Sequence, residues 1–268
     1  MTGEETFGRR TAAVVGVLGM AFLVLPLLIV VPMSFSSARA LTFPPPGFSL
    51  RWYAAFFGDS RWMAATWISS SVAFLSSLLA LALGGLAAYG LRRSTFRGRS
   101  VIEANFLAPV IVPTIIVAVA LYLGFARVGL LGTYAGLVLA HTMLSVPFVV
   151  MVLGVAIRDL DQRIEHVAWS LGATWLQTMR RVVLPNLAPS AFAAWIFAFI
   201  ASFDEVIVTQ FVAGAYDTVP KRMFNELVLE INPTITAVAT LLIGLTLTAL
   251  GLVAVLLRRS GRWPASRP

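Results

Sequence analysis

The chain has 268 residues, of which 59% are hydrophobic and 12% charged; 20 Lys and Arg outweigh 12 Asp and Glu for a formal charge of +8, and cysteine is absent. Soluble domains carry about 25% charged residues, so this composition, with a mean hydropathy of +0.87, excludes a soluble domain and marks an integral membrane protein. Disulfides, thiolate nucleophiles and cysteine metal sites are excluded as well, and the two histidines, His141 and His166, are too few and too scattered for a histidine cluster.

A bilayer core of ~30 Å takes about 20 apolar residues as a helix. Six segments qualify, at 12–33, 64–91, 104–125, 132–157, 189–212 and 235–257. They predict an all-α, polytopic fold with a transmembrane domain over 12–257. The first segment follows Arg9 and Arg10, and "ARA" at 38–40 resembles a signal-peptide cleavage site. Its 22-residue run exceeds the about 7–15 residues of a signal h-region, which favours an uncleaved helix. Trp52, Tyr53, Trp62 and Trp67 bracket the outer edge of the second span and read as an aromatic belt. The second span carries Ala80, Gly84 and Ala88, and the fourth Gly132, Gly136 and Ala140. That spacing lets helix backbones approach closely in lipid. Pro109, Pro113 and Pro147 interrupt the third and fourth spans. No internal repeat and no inverted pair of broken helices is visible.

Arginine sets the orientation. Of the 20 basic residues, 14 fall on the side shared by both termini, the second–third loop and the fourth–fifth loop. The positive-inside bias puts that side in the cytoplasm. Residues 1–11 then form a cytoplasmic N-terminus, 158–188 a cytoplasmic loop and 258–268 a basic cytoplasmic tail. The net charge belongs to these membrane flanks, not to a nucleic-acid surface.

The loop at 158–188 has its own pattern. Ile164, Ala168, Leu171, Trp175, Met179 and Val182 recur at helix spacing. Gly172 interrupts them where a helix C-terminus would fall. Thr174 and Gln177 form a T-x-x-Q capping box that starts a second helix. Pro185 and Pro189 end the element and begin the fifth span. The apolar stripe needs cover. It could lie on lipid head groups, or pack on its own bundle.

In the fifth span, "FIASFDEVIVTQFVAG" holds Asp204 and Glu205. Counting ~1.5 Å per residue from Pro189 puts Asp204 about 22 Å along, in the outer half of the membrane. A carboxylate there costs at least ~2–3 kcal/mol unless it faces protein or water. The pair either lines a pathway, partners a neighbouring span or marks a helix break near the outer surface. Adjacent residues point about 100° apart on a helix, so at most one faces a pathway squarely. His141 in the fourth span reads as a hydrogen-bonded packing residue ahead of a proton relay.

"EHVAWSLGATWLQTMRRVVLPN" (165–186) resembles the "EAA" loop of ATP-binding-cassette importer permeases. That pattern is E-A-A, three residues, G, nine residues, I-x-L-P. Gly172 fixes the register here. After nine residues come Val182, Val183, Leu184 and Pro185. Ala168 matches the second alanine and Val167 replaces the first. His166 stands where the family has its glutamate, and Glu165 precedes it. The resemblance covers roughly 67–257. It implies a type I importer permease with a coupling loop (Glu165, His166, Ala168, Gly172, Ala173, Leu184, Pro185) docked on a separate cytoplasmic ATPase. Either Glu165 or His166 makes the contact that the family assigns to its glutamate, or that contact is lost. The implied partners are a second permease subunit, two cytoplasmic ATP-binding subunits, an extracytoplasmic substrate-binding protein and membrane lipid. The outer stretch 42–57 is then a surface for the binding protein or an interface anchor.

The implied localisation is the bacterial inner membrane. The chain lacks a Walker A loop, since its only lysine is Lys221 in "TVPKRM". It therefore cannot be its own motor, and the resemblance implies that this chain holds no cofactor and is no enzyme itself, with ATP and Mg²⁺ on the partner ATPase. "SFDEVIVTQFVAG", "TVPKRMFNEL" and "INPTITAVATLLI" resemble the spermidine/putrescine permease subfamily, second-permease type. That implies a polyamine passing Asp204 and Glu205. Permeases for ferric iron, thiamine, phosphonates or opine-like compounds share much of this pattern. An ATP-independent secondary transporter is the rival of another class.

Overall fold

The computed structural model of the chain describes residues 3–229 and 232–259. Most of the expected basic tail (260–268), and Glu230 and Ile231, lie outside them. The described chain is helical apart from turns and one isolated bridge between Ser36 and Phe48. In chain order the helices are α1 (Gly3–Ser34), α2 (Arg51–Gly58), α3 (Ser60–Arg93), α4 (Arg99–Ile111), α5 (Thr114–Val128), α6 (Tyr134–Asp159), α7 (Arg163–Ser170), α8 (Trp175–Thr178), α9 (Leu184–Phe203), α10 (Ile207–Val212), α11 (Val219–Leu229) and α12 (Thr234–Arg259). Five helical stretches are long and apolar enough to cross a membrane, or six if α4 and α5 count as one broken span.

The breaks depart from the hydropathy reading. The third segment is two helices meeting at 104°. Pro113 causes this. Its ring drives Val112 out of the helical region, to φ −74°, ψ 135°. Pro109 and Pro147, in contrast, sit inside continuous helices, as prolines in membrane helices often do when neighbours re-satisfy the backbone. The fifth segment also breaks. Its helix α9 stops at Phe203, and α10 begins at Ile207.

The described residues fall into two compact units. The first takes residues up to 63 and 225–245. Within it, the Oγ of Ser34 lies 2.7 Å from the hydroxyl of Tyr53, and the rings of Phe35 and Tyr53 are 5.3 Å apart. Trp62 is buried against Phe56, 5.6 Å between centroids, so it is a packing residue and not part of an interfacial belt. The α1 stretch 11–28 is apolar and exposed, which suits a lipid-facing helix.

The second unit, 64–224 and from 246, carries the main cores. In one, Ala80 and Ala88 of α3 meet Val146, Val149 and Leu153 of α6 and Leu187, Ala194 and Ala198 of α9. Small residues bring the α3 backbone close. A Cβ on Gly84 would lie 3.0 Å from Val149 and 3.2 Å from the carbonyl of Val146. In the other, Ala118 of α5 packs on Leu137 and Ala140 of α6 and on Val208 and Val212 of α10. The turn after α10 needs its glycine twice over. Gly214 has φ +56°, and a Cβ there would come within 2.7 Å of the Gly132 Cα. Lys221 is buried and fastens this turn, donating to the carbonyls of Gly214 (3.0 Å) and Tyr216 (2.8 Å) and pairing with Asp217 (3.1 Å).

Candidate functional site

Two places in the second unit gather the singled-out residues. The first is the link between α6 and α9. Helix α7 ends on paired backbone bonds, from the N–H of Ala173 to the carbonyl of Ala168 (3.0 Å) and from the N–H of Gly172 to that of Trp169 (2.9 Å). This is the Schellman arrangement, which requires a left-handed residue; Gly172 supplies φ +83°. Thr174 then caps α8. Its Oγ1 accepts the N–H of Gln177 (3.3 Å), and the Oε1 of Gln177 accepts the N–H of Thr174 (2.8 Å). The expected capping box is therefore present.

Two expectations for this link change. The apolar stripe does not keep to one side. Ile164 and Met179 pack on the core, while Leu171 is 82% exposed and joins exposed Val167, Trp175 and Leu176. The left-handed turn at Gly172 re-aims everything after it, so a single helical period cannot run through. Beside this patch lies an open depression of about 540 Å³ lined by Thr174, Leu176, Gln177, Arg180 and Arg181.

Nor do Pro185 and Pro189 end the element. Trp175–Phe203 is one helical stretch, with a π-helical turn at Met179–Val183 just before Pro185. A wider turn accommodates the missing proline N–H, and such turns recur at functional sites. Leu184 and Pro185 stay exposed at the start of α9.

Glu165 and His166 part company. His166 is exposed and meets the Trp169 ring edge-on, 5.1 Å between centroids. Glu165 is 1% exposed. The Tyr89 hydroxyl donates to its Oε2 (2.6 Å). Its Oε1 stands 2.7 Å from the Nη2 of Arg93, an ion pair outside hydrogen-bond angles. The Glu165 carboxylate is thus turned toward this chain's own α3, and His166 is the exposed member of the pair. Tyr89 and Arg93 carried no sign of this role in the sequence. Arg93 reads there only as one more flanking arginine.

The second place is where the broken helices meet. A half-open cavity of about 320 Å³ is lined by Pro109, Val110 and Thr114 from the α4–α5 elbow, Leu144 and Phe148 of α6, and Ile200, Ala201, Asp204 and Glu205 at the end of α9. Irregular backbone at membrane depth is tolerated only when buried in protein or lining a cavity. Both breaks meet that condition here.

The adjacent carboxylates do different jobs. The Oε1 of Glu205 accepts the N–H of Val208 (2.8 Å), closing the first turn of α10. The carboxylate of Asp204 makes no hydrogen bond or ion pair among the described residues, and it opens on the cavity. Behind the break, the buried His141 spans it. Its Nδ1 is 3.0 Å from the carbonyl and 2.8 Å from the Oγ of Ser202, before the break, and its Nε2 is 2.9 Å from the Oγ1 of Thr209, after it. Ser76 of α3 donates to the Oγ of Ser202 (2.8 Å). His141 is thus a hydrogen-bonded structural residue that holds the two half-helices in register.

Known proteins resemble this chain over most of its length. The family described as "Binding-protein-dependent transport system inner membrane component" matches residues 80–262. The spermidine/putrescine transport system permease protein PotC of Haemophilus influenzae is 31% identical over 242 residues, 90% of this chain and 93% of that protein. The putrescine transport system permease protein PotI of Escherichia coli is 33% identical over 243 residues, 86% of this chain and 85% of that protein. Among solved structures, a chain of a bacterial alginate ABC transporter, in complex with its alginate pentasaccharide-bound periplasmic protein, superimposes with a TM-score of 0.68. It shares 16% identity and covers 96% of each chain.

Proposed function

This chain belongs to the binding-protein-dependent transport system inner membrane components, and on that footing we propose that it carries polyamines across the membrane as one permease of an ATP-driven importer. The observation that carries the substrate is Asp204, an uncommitted carboxylate on a cavity between two broken helices. A charged group at that depth needs protein or water around it. An amine cation passing the cavity supplies a transient counter-charge. The likeness to polyamine permeases favours the same substrate class.

A second permease would complete the pathway, and an extracytoplasmic binding protein would deliver the polyamine. Both termini and the α6–α9 link would face the cytoplasm, where the exposed patch of Val167, Leu171, Trp175 and Leu176 docks on an ATP-binding subunit. Two such subunits would hold ATP and Mg²⁺. This chain's own residues supply the docking surface, the continuous helix from α8 into α9, and the cavity. Mass spectrometry of the ligand retained by the partner binding protein tests the substrate. A polyamine is expected, and a bound anion or sugar would overturn the assignment.

The turn at Gly172 gives a separate prediction. A Cβ there meets nothing within 4 Å, so bulk is no obstacle; the left-handed φ is. A β-branched residue disfavours that region, whereas asparagine tolerates it. Gly172→Val is expected to lower uptake per ATP hydrolysed by roughly tenfold, with Gly172→Asn near wild type. Equal behaviour of the two variants would contradict a role for the turn.

A further inference from the structure

The link between α6 and α9 is joined to the rest of the unit in two ways. At one end, α8 continues through the π-helical turn into α9 as a single helical stretch. At the other, α7 is eight residues long and leaves the chain at a glycine turn. Its side-chain anchor is Glu165. Tyr89 and Arg93 stand one turn apart on α3 and both reach that carboxylate, at 2.6 and 2.7 Å. The same Arg93 donates through Nη2 to the carbonyl of Leu160 just beyond α6, at 3.1 Å. Two elements distant in sequence, α3 and α7, meet at one carboxylate, and the end of α6 joins them through Arg93.

We propose that Glu165, Arg93 and Tyr89 form a clamp through which α7 drives α3, so that movement of the docking patch reaches the second span as well as the fifth. The proposal rests on the reading of this link as the ATPase-coupling loop. The burial supports it. The Arg93 side chain is 13% exposed and that of Glu165 1%. A buried ion pair is a poor device for stability alone, because desolvation offsets the attraction. Its strength is in fixing direction and register. The carboxylate also lies on the side of α7 away from the exposed Val167 and Leu171, so docking and clamping use separate faces and can act together. Glu165, Arg93 and Tyr89 are positioning residues, because none of them meets the transported solute at this site.

The absence of cysteine in the chain permits a direct test. In the full importer complex, with other subunits free of accessible cysteine, Arg93→Cys and Glu165→Cys are joined by a short reducible bifunctional thiosulfonate. Uptake and ATP hydrolysis are measured before and after reduction on the same preparation. The clamp predicts that reduction lowers uptake per ATP by roughly tenfold while ATP hydrolysis persists. Equal uptake per ATP before and after reduction, at any level, overturns it. Glu165→Gln and Arg93→Gln should each lower the same ratio, and the double variant no further than either alone, since both act through one contact. Additive losses also overturn it. Leu171→Glu separates this proposal from the reading beneath it. If the ATPase subunit stays bound to that variant, the docking reading fails. If the subunit is released while the Glu165 and Arg93 variants couple normally, the clamp alone fails.

Discussion

Asp204→Asn is expected to lower polyamine uptake by roughly 30-fold or more, with the complex assembled and its ATPase subunits bound. Losing one partner of a desolvated charge pair costs about 2 kcal/mol at the lower end, and each 1.4 kcal/mol is about tenfold. The lower end applies because Asp204 opens on a cavity. The neighbouring position supplies the contrast. Glu205 spends its carboxylate on the N–H of Val208, and a glutamine amide oxygen can accept the same bond, without the assistance of charge. Glu205→Gln is therefore expected to stay within about threefold of wild type, or about 0.7 kcal/mol, because the bond is weakened and not lost. Labelled-spermidine uptake into proteoliposomes measures both. Wild-type uptake by the Asp204 variant, or equal damage from the two, contradicts the division of roles.

Leu171→Glu is expected to release the ATPase subunit. Leu171 is 82% exposed in this chain, so the substitution leaves the fold alone and acts only on what covers the patch. Burying an unpaired carboxylate in an apolar contact costs at least about 2 kcal/mol, or roughly 30-fold in affinity. Co-purification from detergent at fixed subunit concentration reads it directly. Retention of the ATPase subunit at the wild-type ratio would show that the patch faces lipid instead.

Much of this architecture is legible along the chain, for reasons particular to each element. Long apolar runs locate α1, α3, α6 and α12 because a membrane helix needs little more than length and hydropathy. Thr174 and Gln177 announce their capping box because both bonds are local. The breaks are not legible in the same way. Pro109, Pro113 and Pro147 look alike in sequence, yet only Pro113 stands at a break; the neighbours decide. The break at 204–206 contains neither glycine nor proline. It is held by His141, 61 and 68 positions away from its partners Ser202 and Thr209. Helical spacing also misassigns the α6–α9 link, because the left-handed Gly172 resets the phase. Glu165 is the sharpest case. The family pattern directs attention outward at this position, whereas the pairing with Tyr89 and Arg93 turns it inward. No local signal joins residues 76 positions apart.

The breaks and the clamp give the unit a coherent mechanics. The exposed Trp175 and Leu176 belong to one helical stretch with α9, and Asp204 caps the C-terminus of α9. A displacement at the patch therefore has a helical path to the cavity, and the clamp adds a second path through α3, which meets the same break at Ser76 and Ser202.

ATP-driven import of a polyamine through this chain is open to direct measurement. The most direct measurement is uptake of labelled spermidine into proteoliposomes carrying the complete complex, with binding protein outside and ATP enclosed. Accumulation is expected to require ATP, to be competed by putrescine and to be unaffected by sulfate. Accumulation of equal extent without the ATPase subunit, or its absence while another solute accumulates at the expense of ATP, would contradict it.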